Sequence, residues 1–124
     1  MNDLTTVIDL YLSAWNETDA AARTALISKA WADGAELVDP PIAGEGPDGI
    51  NQIADAVHAQ FPGHRFRRAS AIDAHHDAFR FAWELVAPDG SVALSGLDVG
   101  QLAPDGRLSR ITGFFGPLAD DQVA

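Results

Sequence analysis

Three residues along this chain combine proton-handling chemistry with a local setting that can exploit it: Tyr11, Asp39 and Asp98. Tyr11 belongs to a run in which Leu4, Val7, Ile8, Tyr11, Leu12 and Trp15 recur at helical spacing, which turns its ring inward and leaves its hydroxyl in need of a partner. It can be a hydrogen-bond donor inside a pocket, or a core tyrosine whose hydroxyl reaches a backbone carbonyl. Asp98 lies in Ser95-Gly96-Leu97-Asp98-Val99-Gly100, a mid-strand run with no cation near it in sequence. Burial there raises a carboxyl's pKa and favours the protonated, donating form. Strand alternation alone equally allows Asp98 to face solvent or to accept backbone hydrogen bonds. Gly96 and Gly100 are expected to mark a bend or the close approach of a ligand. Asp39 ends a short apolar run just before Pro40-Pro41, where a carboxylate can project over a pocket mouth as a general base, although an Asp-Pro pair also starts turns.

Other candidates offer less. The adjacent His75 and His76 would point to opposite faces of a strand and could not share one metal ion, and with His58 and His64 they form no set of recognisable ligand spacing. No metal is expected. Either His75 or His76 could act as an acid or base if its ring faced a pocket. The basic run His64-Arg65-Phe66-Arg67-Arg68 can meet a substrate carboxylate or an acidic partner, or simply form an ion-paired outer strand face. There is no cysteine, which removes thiolate chemistry and disulfides, and no nucleotide-binding or serine-hydrolase motif. No cofactor is expected.

The elements that must position these groups follow from periodicity and punctuation. The first helix carries the Tyr11 stripe and is capped by Asn2 or Asp3. A second, opened by Thr18-Asp19, buries Ala22, Leu26, Ile27, Ala30 and Trp31 before Asp33-Gly34 stops it. Together they read as a helical hairpin. Ala35 to Asp39 reads as a strand entering a proline-held loop, and Gly46-Pro47-Asp48 starts a third helix with Ile50, Ile53, Ala54, Val57 and Phe61 on its apolar face. From His64 onward the texture is that of strands, with Phe79, Phe81, Trp83 and Leu85 alternating with polar or small residues. Ala87-Pro88-Asp89-Gly90 and Ala103-Pro104-Asp105-Gly106 read as hairpin turns. The expected order is helix, helix, strand, helix and four antiparallel strands: an α+β domain over residues 1–117, then an acidic tail at 118–124.

Composition narrows the partners. A chain of 124 residues, 47% of them apolar, suits a single core. Its formal charge of -10 repels phosphate backbones and anionic lipid surfaces. Neither nucleic acid nor a membrane is an expected partner. The acidic MNDLTTVIDL start is unlike a secretory signal, so a cytoplasmic location is expected. Three helices cover only one face of a long sheet, and a homodimer contact through the other face is the economical way to cover it.

The order of elements and these three polar residues resemble bacterial ketosteroid isomerases and, more broadly, the SnoaL-like polyketide cyclases of the NTF2-like superfamily. The resemblance runs over nearly the whole chain: VIDLYLSAWNETD is similar to the family's first helix, WADGAELVDP to its aspartate-ending strand, and SGLDVGQLAPDGRLSRITGFFG to its last hairpin. It implies an NTF2-like cone, with three N-terminal helices on a curved, mostly antiparallel sheet around a pocket for a small apolar ligand. Asp39 then falls on the catalytic base, and Tyr11 and a protonated Asp98 on the pair of donors facing the enolate oxygen, an arrangement of which ketosteroid isomerase is the standard example. Trp15, Trp31, Phe61, Trp83 and Phe114 would supply apolar walls. The implied activity is that of an isomerase or a cyclase-like lyase without a cofactor, against the alternative of a non-catalytic ligand-binding or assembly module. The chain departs from relatives in having one tyrosine, with Trp31 near where some isomerases place further tyrosines, and in lacking an aspartate in Ile111–Phe115, which disfavours epoxide hydrolysis of the limonene-epoxide type. The single tyrosine likewise argues against scytalone-dehydratase-like chemistry.

Overall fold

The computed structural model describes residues 3–40 and 42–116. The acidic tail expected at 118–124 lies outside the described residues. Helix α1 (Leu4–Asn16) begins where Asp3 accepts the Thr6 N–H at 2.9 Å, and α2 (Ala20–Ala30) where Asp19 accepts the Ala22 N–H at 2.8 Å. Each cap satisfies an N–H that the first helical turn leaves without a partner. Helix α3 (Gly46–Gln60) starts with proline in its first turn, as expected, and buries Ile50, Ile53 and Ala54.

Seven strands form one sheet: β1 (Trp31–Asp39), β2 (Ile42–Glu45), β3 (Arg65–Arg68), β4 (Asp73–His75), β5 (Ala78–Val86), β6 (Val92–Leu102) and β7 (Leu108–Phe115). Their order is β2-β1-β7-β6-β5-β3, with β4 also on β5. Only β1 and β7 run parallel; the other pairs are antiparallel. The three helices on a curved, mostly antiparallel sheet are therefore present as expected.

Three details differ from the expected elements. Trp31 does not end α2 but opens β1, because its backbone is extended (φ -109°, ψ 138°) and it pairs with Leu108. Asp33-Gly34 is accordingly an irregularity inside β1, with Gly34 at φ 73° and a register shift between Trp31 and Glu36. The segment after Pro40-Pro41 is not all loop, since Ile42–Glu45 pairs back onto β1 as a short edge strand. Residues between His64 and Asp77 split into two strands, with the Ser70 hydroxyl accepting the Ala82 N–H where the chain turns from one to the other. Both proline-aspartate-glycine turns join the strands they were expected to join, with Gly90 and Gly106 at positive φ.

Arg23 adds a feature outside the apolar pattern. It lies on the buried side of α2 with Ile27 and Ala30, 2% exposed, and its guanidinium donates to Asp55 Oδ1 on α3 at 2.7 Å and to the Glu17 carbonyl at 3.0 Å. Those contacts compensate its burial and tie the helices together. On the far side of the sheet, opposite the helices, Val99 and Phe114 are exposed. No helix among the described residues is long and apolar enough to cross a membrane.

Candidate active site

The periodicity of α1 delivers Tyr11 to the inner face of the sheet. Its ring meets Trp15, Trp31 and Phe81 edge-on at centroid separations of 6.2, 5.7 and 6.3 Å. Its hydroxyl donates to Asp98 Oδ2 at 2.7 Å. Asp98 reaches that point because Gly96, Asp98 and Gly100 form the inward row of β6. The two glycines admit not a ligand but the cross-strand rings of β5. A Cβ at Gly96 would run into the Trp83 indole and one at Gly100 into the Phe79 ring, the residues paired with them in register.

Asp98 is 3% exposed, and its other oxygen, Oδ1, accepts the Trp83 indole N–H at 3.1 Å. Burial is the main reason its pKa rises to about 7; hydrogen bonds from Tyr11 and Trp83 pull it down, and the charge of Asp39 pushes it up. Burial, then the charge of Asp98, holds the Tyr11 hydroxyl well above the ordinary tyrosine range, so it stays a donor. Asp39, at the end of β1, is raised to about 6 by burial. It leans over β7 at Gly113: a Cβ there would collide with Asp39 Oδ1 and lie 3.2 Å from Asp98 Oδ1. The missing side chain is what lets both carboxyls approach the same spot.

These three groups line one cavity of about 430 Å³ whose other walls are largely apolar. Trp15, Phe61, Phe66, Trp83 and Phe115 supply the aromatic surface, and no lysine, arginine or histidine lines it among the described residues. Two tethers hold the walls. His58 Nε2 lies 2.8 Å from the Trp15 carbonyl and links α3 to α1. The Asn16 amide exchanges two hydrogen bonds with the backbone of Phe66 at 2.9 and 2.7 Å, docking β3 against the end of α1.

Of the residues expected to form apolar walls, Trp15, Phe61 and Trp83 line the cavity; Trp31 and Phe114 do not. Trp31 packs behind Tyr11 as core. Phe114 is 53% exposed on the outer face, because Ile111, Gly113 and Phe115 are the inward row at this end of β7. Phe115 takes the place expected of Phe114, and Phe66 contributes a wall that the sequence reading passed over. Its position between Arg65 and Arg67 in an alternating strand was the available signal.

The histidines at the β4–β5 turn are exposed and away from the cavity. They do not point apart as expected: His76 leaves the strand at φ 54°, which brings the two Nδ1 atoms to 3.2 Å. Among the described residues no group of three or more histidines, cysteines and acids converges. Within the basic run, Arg67 pairs with Glu84 at 2.8 Å and Arg68 donates to the Ser70 carbonyl at 2.7 Å, both at the surface, and none of its charged residues lines the cavity.

Solved structures resemble this one closely. A SnoaL-like family protein from Agrobacterium tumefaciens, for which an isomerase activity has been suggested, is 40% identical over 91% of this chain and 97% of its own, with a TM-score of 0.86. An NTF2-like protein of unknown function from Exiguobacterium is 23% identical over 90% of this chain and 99% of its own (TM-score 0.67). A Jannaschia protein suggested to be a SnoaL-like polyketide cyclase is 15% identical over 93% and 90% (TM-score 0.66). The last two likenesses are of fold alone. No protein-family model and no curated protein matches the chain. The fold is the NTF2-like cone, and with the Agrobacterium relative matched at this identity along nearly its whole length, the chain belongs to the SnoaL-like family.

Proposed function

We propose that this protein is a cofactor-independent enzyme that moves a proton through an enolate on a small, apolar carbonyl compound, as an isomerase or a cyclase-like lyase. The observation that carries this reading is the convergence of the Tyr11 hydroxyl, the Asp98 carboxyl and the Asp39 carboxyl in one largely apolar cavity. Asp39 takes the proton from the carbon next to the carbonyl, and the C–H electron pair moves onto the oxygen to give the enolate. Both oxygens of Asp98 are engaged, by Tyr11 and by Trp83, so it acts through Tyr11 instead of facing the enolate oxygen beside it as expected: Tyr11 turns its hydrogen from Asp98 Oδ2 to the developing oxyanion, and neutral Asp98 then donates to Tyr11 Oη. A donor placed in so dry a site lowers the barrier by roughly 3 kcal/mol. The enolate then either recovers the proton from Asp39 at another carbon or attacks a second carbonyl, whose oxygen takes that proton.

The surroundings of the two carboxyls support these roles, because Asp98 is the more deeply buried and the charge of an ionised Asp39 further favours its neutral form. A base that is ionised beside an acid that is still protonated is what the reaction needs. The alternative of a non-catalytic ligand-binding module sits less well with two carboxyls in one largely apolar cavity, both pushed toward their neutral forms by burial.

We also take the protein to be a cytoplasmic homodimer joined through the outer face of the sheet, where Val99 and Phe114 are exposed. The enzymatic reading is tested with purified protein and a panel of β,γ-unsaturated cyclic ketones, 3-oxo-steroids and polyketide-like diketones. Turnover of at least one class, reduced by 10²-fold or more in Asp39→Asn, is expected. Equal activity of wild type and Asp39→Asn on every substrate contradicts it.

A further inference from the structure

Trp83 lines the cavity as an apolar wall, yet its indole N–H makes a contact that no wall requires. It donates to Asp98 Oδ1 at 3.1 Å, while Asp98 Oδ2 faces Tyr11 Oη at 2.7 Å. An indole N–H can only donate, and the carbonyl oxygen of a neutral carboxyl accepts better than its hydroxyl oxygen, so the indole favours Oδ1 as the carbonyl, whereas a tyrosine hydroxyl can donate or accept. We propose that Trp83 is a positioning residue of the proton-transfer site: by occupying Oδ1 it confines the acidic hydrogen of Asp98 to Oδ2, the oxygen that faces Tyr11. With Asp98 neutral and a substrate oxygen taking the Tyr11 hydrogen, the chain of donors runs from Trp83 to Asp98, from Asp98 to Tyr11 and from Tyr11 to the substrate, reversing the bond in which Tyr11 donates to Asp98 Oδ2. The catalytic use of that chain rests on the function proposed above; the placement of the Asp98 hydrogen on Oδ2 does not.

The indole is held for this task. Trp83 lies across Gly96, where any side chain would collide with it, and is flanked edge-on by Phe66 at 5.5 Å and Phe115 at 5.8 Å. The other groups facing Asp98 are Tyr11 from α1 and Asp39 from β1; β7 presents only Gly113. No lysine, arginine or histidine lining the cavity among the described residues competes with the indole as a donor. Without the indole N–H, the neutral carboxyl is free to carry its hydrogen on the oxygen turned away from Tyr11, and the Tyr11 hydrogen stays engaged on Asp98. The ionised carboxyl also loses a donor, which makes Asp98 harder to ionise.

The test reads the hydrogen bond directly and needs no substrate. In ¹⁵N-labelled protein the three tryptophans give three indole N–H resonances, and a titration from about pH 5 to 9 spans the ionisation of Asp98. One resonance should move with the carboxyl's midpoint, near 7. It should vanish in Trp83→Phe and stand still in Asp98→Asn. In Trp83→Phe the Asp98 carboxyl carbon should titrate at higher pH than in wild type, and kcat should fall by more than KM rises. The wild-type and Asp98→Asn titrations decide the matter even if Trp83→Phe does not fold. Three flat indole resonances, or an Asp98 midpoint unchanged or lowered in Trp83→Phe, overturn the proposal. If the indole titrates as stated while Asp39→Asn keeps full activity, the enolate reading falls and the assignment of the Asp98 hydrogen stands.

Discussion

Asp39 and Asp98 reach over the same residue, Gly113, from strands on either side of β7, and each does so from a site that favours its neutral form. A charge on Asp39 favours the neutral form of Asp98, which is the more deeply buried of the two. The proposed chemistry uses Asp39 ionised and Asp98 neutral.

Activity should therefore rise with pH as Asp39 ionises, through about 6, and fall as Asp98 ionises, through about 7. The two steps belong to the interacting pair, so the profile gives macroscopic values. A kcat/KM profile over this range checks it, and Asp98→Asn, which cannot ionise, should lose the falling limb.

Stability carries the opposite imprint of Asp98. Its native pKa of about 7 lies above the ordinary 3.8, so the native state binds more protons than the unfolded chain between those values, and stability declines as pH rises through that window. Between about pH 5.5 and pH 8 the loss should be on the order of 2 kcal/mol. Denaturant melts at the two pH values should show it in wild type, and Asp98→Asn should remove most of the difference while leaving the smaller part of the same sign that comes from Asp39.

Gly113→Ala should behave as a catalytic lesion made by a structural residue. The new methyl would occupy the place of Asp39 Oδ1, displacing the base while the strand backbone, which is not in the left-handed region, tolerates alanine. We expect a loss of roughly 10² or more in kcat with little change in thermal midpoint. Unchanged kcat would show that Asp39 acts from elsewhere or not at all.

The two adjacent phenylalanines near the end of β7 should separate cleanly. Phe115→Ala removes a cavity wall and should weaken binding of an apolar ligand by about 1–2 kcal/mol, read by calorimetry. Phe114→Ala should leave that affinity alone and instead shift the protein toward monomer in sedimentation, since Phe114 projects from the face proposed to dimerise.

Much of this arrangement was legible in the residues. Tyr11 could be placed because a helical period fixes direction, and its neighbours Val7, Ile8 and Trp15 left no doubt about the inward side. Asp98 was legible as a lone carboxyl in a mid-strand run, and the resemblance to known isomerases placed it beside Tyr11. The errors arose where a local pattern depends on distant pairing. Trp31 satisfies both a helix end and a strand start, and only its pairing with Leu108 decides. Phe114 and Phe115 are distinguished by strand phase, yet buried Leu108 and Ile111 lie an odd number of residues apart because the register slips between Gln101 and Leu102. The indole hydrogen bond of Trp83 had no signal of its own. It follows from the register that sets Trp83 against Gly96, two residues from Asp98.

The central claim is that Asp39 removes a proton from carbon beside a carbonyl, and isotope exchange tests that step without requiring the natural substrate. A cyclic ketone bound by the protein and incubated in D₂O near neutral pH should exchange its α-hydrogens, followed by NMR, at least 10²-fold faster than in buffer. Asp39→Asn should exchange at the buffer rate while binding the ketone with unchanged affinity. Bound ketone that exchanges no faster than free ketone, or that exchanges equally fast in Asp39→Asn, contradicts the account.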